Sequence, residues 1–203
     1  MAWTDPSTIN FNTGQVITET KLEQVTADLT DLKGPFYNSG ALGSAQASIS
    51  ATSIPSGYGM LRALLLCRGD TAADQTSVLL QFNSDTGNTY TYIGNEDYGA
   101  FSSGGINYTT TTSSILVGRM SANTGTANRA SVLDIRIPFY DQTTFHKSVV
   151  SQWTNSDSAG DGNAGAGMSG GIWASTSAIT SLTVLPGAGN FAAGSHLRVY
   201  TIG

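Results

Sequence analysis

Few side chains in this sequence could act as a catalytic acid or base, and their spacing matches no known catalytic motif. His146 and His196 are its two histidines, and each falls in a strand-like segment, where a histidine is more often structural than catalytic. Five carboxylates could supply a pair of the glycosidase kind: Asp70, Asp74, Asp85, Glu96 and Asp97. Their spacing gives no reason to bring any two together. We therefore predict that the chain is not an enzyme.

Two short motifs look like cofactor or metal sites. Residues 165–170 match the glycine fingerprint of dinucleotide-binding proteins, but that fingerprint needs a preceding strand and a following helix, and here a loop precedes and a strand follows. Residues 83–87 begin like a calcium loop without its remaining oxygens and closing glutamate. An Asx-type turn with Gly87 at positive φ explains them more simply. We predict no cofactor and no metal.

Aromatic side chains cluster between residues 90 and 108. Amphipathic rings on strands or loops make good contact surfaces for sugars and for other proteins. The candidates for such a surface are Tyr92, Tyr98, Phe101 and Tyr108. The alternative is that these rings pack in the core or between subunits. We predict that residues 94–108 form an exposed loop, and that the glycine-rich residues 156–171 form a second one.

The elements that must position these groups are predicted to be strands. Only 11% of the residues are charged, while glycine (24), serine and threonine are abundant, which favours strands and turns over surface helices. Ten short strands are predicted, near 49–54, 60–67, 76–82, 89–93, 114–120, 131–137, 146–153, 171–174, 179–185 and 197–202. The apolar runs 60–67 and 78–82 are predicted to pair as hairpins at the centre, with another hairpin turn at 85–88. The fold class is an all-β antiparallel sandwich or jelly roll.

A helix is predicted at residues 21–33, after a polar N-terminal arm. Residues 20–23 fit a capping box, and Gly34 with Pro35 supplies a stop. A narrow apolar seam follows from the spacing of Leu22, Val25, Leu29 and Leu32. A helix of this length is marginal alone, so the seam packs either between identical subunits, which we favour, or on its own β-domain. The predicted domains are 1–34 (arm and helix), 35–47 (linker) and 48–203 (β-sandwich).

Charge and hydropathy exclude several partner classes. The net charge is −5 with no basic stripe, which argues against nucleic acid. The sequence has no apolar run near 18 residues and no signal-peptide pattern, so we predict neither a membrane span nor secretion by a signal. Cys67 is the single cysteine and is predicted to be a buried apolar residue.

In their order along the chain, several segments resemble a family of structural proteins of tailed bacteriophages, found in tail fibres, head fibres and related minor virion components. The resemblance is carried by Trp3-Thr4, residues 14–18 (GQVIT), 54–58 (IPSGY), 80–90 (LQFNSDTGNTY), 137–140 (IPFY) with Lys147 after it, Trp173, and 199–203 (VYTIG). It implies a non-enzymatic virion protein, made in the host cytoplasm without a signal peptide. It also implies a homotrimer attached to another virion protein through its N-terminus, with the β-domain outward.

Such a protein could attach to a host-surface glycan. A capsid decoration protein that stabilises the head is the alternative, and a stand-alone carbohydrate-binding module is a third.

Overall fold

The computed structural model describes residues 34–98, 105–125, 127–156 and 164–203. In this part of the chain every regular element is a β-strand, and all strand pairs are antiparallel, so the predicted all-β class is confirmed. The predicted arm and helix, including Leu22, Val25, Leu29 and Leu32, lie outside the described residues. Within the described ranges, no helix is long and apolar enough to cross a membrane.

The strands, numbered in chain order, form two sheets. The eight-stranded sheet contains, in spatial order, β1 (Tyr37–Asn38), β12 (His196–Ile202), β3 (Met60–Cys67), β8 (Ser131–Pro138), β9 (Lys147–Ser156), β10 (Ala164–Trp173), β5 (Tyr90–Tyr98) and β6 (Gly105–Thr112). The four-stranded sheet contains β2 (Ile49–Ala51), β11 (Leu182–Pro186), β4 (Gln75–Phe82) and β7 (Ile115–Ser121).

One hydrophobic core joins the two sheets. Alternate residues of β3 and β4 are buried, as the period of two in a strand requires. On β8, Leu133, Ile135 and Ile137 are buried while the residues between them face outward. Cys67 is a buried free thiol at the end of β3. Side chains of both sheets belong to a single buried cluster, which is consistent with a β-sandwich.

The predicted hairpins are wrong. β3 pairs with β12 and β8 in the larger sheet, whereas β4 pairs with β11 and β7 in the smaller one. Residues 83–89 likewise lead from β4 in one sheet to β5 in the other. Turn residues signal that the chain reverses, but an apolar alternating run fits the buried face of either sheet. Sequence pattern alone therefore does not choose the pairing.

The two predicted loops, 94–108 and 156–171, are wrong over the residues that the structure describes, and their parts 99–104 and 157–163 lie outside those residues. β5 continues to Tyr98, β6 begins at Gly105, and β10 spans Ala164–Trp173. Gly171 of β10 is needed where the sheets approach closely, because a Cβ there would lie 2.5 Å from Cγ2 of Ile115 on β7. Glycine is depleted in most strands, so a strand that needs it for close approach looks like a loop in sequence.

Residues 35–47 run beside the larger sheet. β1 pairs with β12, and the Leu42 N–H donates to the Ser195 carbonyl at 2.9 Å. Phe36, Tyr37 and Leu42 pack against the core. The residues of the predicted linker thus contact the β-domain, and the domain boundary itself stays a prediction.

Candidate interaction surface

The outer face of the eight-stranded sheet, turned away from the core, carries a group of exposed apolar side chains. They lie on four neighbouring strands, β9, β10, β5 and β6. Their exposed fractions are 56% for Ile93, 71% for Ile106, 72% for Tyr108, 46% for Val150, 53% for Met168 and 44% for Ile172. We call these six residues the apolar patch. Large exposed apolar groups are informative when they are contiguous.

Strand register makes the apolar patch continuous. Tyr108 lies opposite Ile93, Ile93 opposite Gly170, and Gly170 opposite Val150. Met168 is two residues from Gly170 and therefore on the same face of β10. Because Gly170 has no side chain, the row has a shallow depression between Ile93 and Val150. Directly opposed side chains are about 5 Å apart, so the members of each row are in reach of one another.

A charged network borders the apolar patch on β3 and β8. The Arg62 guanidinium donates from Nε to Asp134 Oδ1 at 2.9 Å and from Nη2 to Oδ2 at 3.0 Å. Arg136 donates to the same Oδ2 at 2.7 Å, and Arg136 lies opposite Val150. Partial burial acts to raise the pKa of Asp134, but the hydrogen bonds and charges of the two arginines outweigh it and the pKa is lowered. Arg62, Asp134 and Arg136 are therefore paired with one another.

β6 is the edge strand beside the apolar patch, and it carries a bulge. Tyr90 pairs with Thr112 and Tyr92 with Thr109, so β6 has one more residue than β5 over this span. Thr111 has a positive φ of 65°. Bulges twist an edge strand and disfavour addition of another strand. The geometry favours contact through the face of this sheet over contact through its edge.

The aromatic residues predicted to form a binding surface do not share one face of the sheet. Tyr108 belongs to the apolar patch and is 72% exposed. Tyr92 faces the opposite side of the sheet, is partly buried and packs against the core. Tyr98 ends β5, but its side chain is outside what the structure describes, as is the whole of Phe101. A binding role for these residues stays a prediction.

The Asp85 carboxylate holds the connection between the sheets together. It accepts hydrogen bonds from Trp173 Nε1 at 2.7 Å, the Thr89 hydroxyl at 2.7 Å and the Gly87 N–H at 2.8 Å. These three donors, Trp173 first, hold the pKa of Asp85 below its usual value. The bond to Gly87 confirms the predicted Asx-type turn.

Positive φ in this connection occurs at Asn83 (51°) and Ser84 (58°), not at Gly87 as predicted. Asparagine tolerates this conformation because its side chain can hydrogen-bond nearby backbone. Asn83 Oδ1 accepts from the Thr180 N–H at 2.8 Å, which fixes it beside the segment before β11.

The other candidate acidic groups have structural partners. Asp70 accepts from both the backbone N–H (2.6 Å) and the side-chain amide (2.9 Å) of Asn190, which lower its pKa. Asp74 accepts from the Thr124 hydroxyl at 2.7 Å. Among the described residues, no group of three or more His, Cys, Asp and Glu side chains is placed to hold a metal ion.

The remaining candidate groups are the two histidines, two acidic residues of β5 and the fingerprint-like segment. His146 is exposed just before β9, and His196 contacts Asn38 across β12 and β1. Glu96 and Asp97 lie in β5, with side chains outside the described part. The fingerprint-like residues 165–170 lie within β10, between two antiparallel neighbours, which is not the strand–turn–helix setting of a dinucleotide site.

Comparison of the chain with family models, curated proteins and solved structures gave no match. The argument for function therefore rests on the surface itself. Sequence reasoning selected aromatic residues and missed the aliphatic members of the apolar patch. The available signal was the alternation of Met168, Gly170 and Ile172, which the glycines of β10 obscured.

Proposed function

We propose that the chain is a non-enzymatic structural component of a tailed phage virion, fibre- or spike-like, which presents its β-domain outward. The observation that carries this proposal is the apolar patch. At about 150–200 Å² per large side chain, its exposed fractions correspond to roughly 500–700 Å², at or above the largest patches of typical monomers. A surface of this kind marks a protein whose work is contact with other macromolecules.

The predicted N-terminal helix supplies attachment and oligomerisation in this proposal. The described domain begins at Gly34, just before β1, which is at the opposite edge of the sheet from β6. A particle-bound N-terminus would therefore leave the apolar patch accessible. The proposed assembly is a homotrimer of β-sandwiches of jelly-roll type on a helical stalk, with Leu22, Val25, Leu29 and Leu32 in its seam.

Fractionation of the tailed particles made by cells that express this chain tests the proposal. The chain should co-sediment with intact particles on a density gradient and survive a high-salt wash. Gold-labelled antibody against residues 34–203 should mark a projecting structure in electron micrographs. A chain that stays at the top of the gradient would contradict the proposal.

A decoration protein that braces the head is the second candidate, because the apolar patch suits a shell surface as well as a fibre contact. Labelling distributed over the head, rather than at the neck or tail, would favour it. Host attachment through a glycan is an alternative use of the exposed ring of Tyr108.

A further inference from the structure

We propose that the apolar patch is the surface through which copies of this chain pack, with the outer faces of their eight-stranded sheets turned toward one another. This inference rests on the proposed homo-oligomeric function and assigns the contact to the β-domain. It places Ile93, Ile106, Tyr108 and Met168 inside the assembly.

The area of the apolar patch matches what a stable contact between copies needs. Its roughly 500–700 Å² of exposed apolar surface, with its polar surroundings, approaches the ~800 Å² that each partner buries in a standard interface. Contacts between identical subunits also have more apolar cores than other interfaces. Tyr108 and Met168 are of the types enriched there.

The apolar patch is an uncharged surface on which two copies of like net charge can meet. The chain carries a net charge of −5, so two copies repel each other over much of their surface. None of the six side chains in the apolar patch is charged, and the nearest arginine, Arg136, is already paired with Asp134. As far as the described side chains go, two apolar patches can therefore meet without burying an unpaired charge.

The chain's own N-terminal segment is a poorer occupant. It joins the domain beside β1, and the apolar patch begins on β9, four strands or roughly 20 Å away. The intervening surface carries the ion pairs of Arg62, Asp134 and Arg136, which an apolar helix seam would have to cover. Addition of a strand at β6 is disfavoured by its bulge.

Sedimentation velocity on the full chain tests the proposal with two variants of the apolar patch, one control on the same sheet and one variant of the helix seam. Met168→Arg and Gly170→Arg each put a charge in the apolar patch, and Gly170 tolerates a side chain because its Cβ would meet nothing nearer than the Val149 carbonyl at 3.6 Å. Val132→Arg is the matched control, on the same face and 48% exposed against 53% for Met168, but outside the apolar patch. Circular dichroism and a thermal melt verify that each variant folds.

The wild-type chain and Val132→Arg should sediment as a multiple of 21.1 kDa. Both variants of the apolar patch should weaken association by at least tenfold. A monomeric wild type overturns the inference, as does an unchanged mass in Met168→Arg and Gly170→Arg. If only Leu29→Asp sediments with a lower mass than the wild type, the contact between copies lies in the helix seam, and the inference is also overturned.

The two proposals fail separately. If the chain co-sediments with particles and the variants of the apolar patch keep the wild-type mass, the virion function stands and this inference is wrong. If the chain associates through the apolar patch but is absent from particles, this inference stands and the virion function is wrong.

Discussion

Asp85 shows how a residue that suggested chemistry can be explained by architecture. Its carboxylate joins the connection after β4 to Trp173 at the end of β10, and Trp173 stacks on Tyr90 with ring centroids 6.4 Å apart. Tyr90 is buried, which raises its pKa to about 12, and its hydroxyl donates to the Asp85 carbonyl at 3.0 Å. The group of side chains links the two sheets, and both carboxylate oxygens of Asp85 accept hydrogen bonds within it.

Replacing Asp85 with asparagine should destabilise the domain by about 1–2 kcal/mol at pH 7, because a charged acceptor of three hydrogen bonds becomes a neutral one. The carboxyl pKa is lower in the folded state than its usual 3.8, so its contribution to stability is present above that value and is lost as the pH falls through the folded pKa. Urea unfolding of both proteins at pH 7 and pH 3 measures this.

The difference between wild type and Asp85→Asn should shrink at pH 3. Asp74→Asn is the control, since that carboxylate accepts from one exposed hydroxyl and its loss should change stability by no more than about 0.5 kcal/mol. A difference that is the same at both pH values would show that the ionised carboxylate is not responsible.

At the scale of elements, β10 combines two roles on its two faces. Its inner positions face β7 of the other sheet, where Gly171 has no room for a side chain. Its outer positions hold Met168 and Ile172 of the apolar patch. A strand of this composition joins the sheets closely and still presents a contact surface.

Alanine at neighbouring positions of β10 should separate these roles. In Gly171→Ala the new Cβ would meet Ile115 Cγ2 at 2.5 Å and the Thr91 backbone carbonyl at 2.9 Å, so we expect a loss of about 2–3 kcal/mol. Gly170→Ala should be neutral or slightly stabilising, by up to about 1 kcal/mol, since nothing crowds it and alanine restricts the unfolded chain. Melting temperatures compare the two variants, and equal losses would rule out close approach of the sheets as the cause.

Sequence pattern predicted elements well where burial alternates cleanly. The bounds predicted for β3, 60–67, are those observed, and the strand predicted at 131–137 lies within the observed β8. It failed on β10 and β6, because glycine and threonine runs resemble loops unless the neighbouring sheet is known. The candidate surface was predicted only in part, through Tyr108, since its other members come together by strand pairing distant in sequence.

At the scale of the whole molecule, Cys67 should report global unfolding. It is buried at the end of β3, between β12 and β8, and burial raises the pKa of its thiol. Because the thiolate is the reactive form, a disulfide reagent should label the native protein at least ~1000-fold more slowly than the unfolded one.

Labelling with and without denaturant measures this ratio. The Ser44→Cys variant supplies the control, since position 44 is exposed and its added thiol should react at once in the native state. If Cys67 reacts as quickly as the added thiol, the edge of the sheet near β12 opens without global unfolding.

The place of β12 in the larger sheet also sets the order in which the domain can be built. β12 lies between β1 and β3, yet it is the last strand along the chain. During synthesis, β1 and β3 therefore lack their shared neighbour until nearly all of the domain has left the ribosome. Such pairing, distant in sequence, folds slowly and leaves the edge of β3 open to mispairing meanwhile. Chains truncated before His196 should therefore be prone to aggregate.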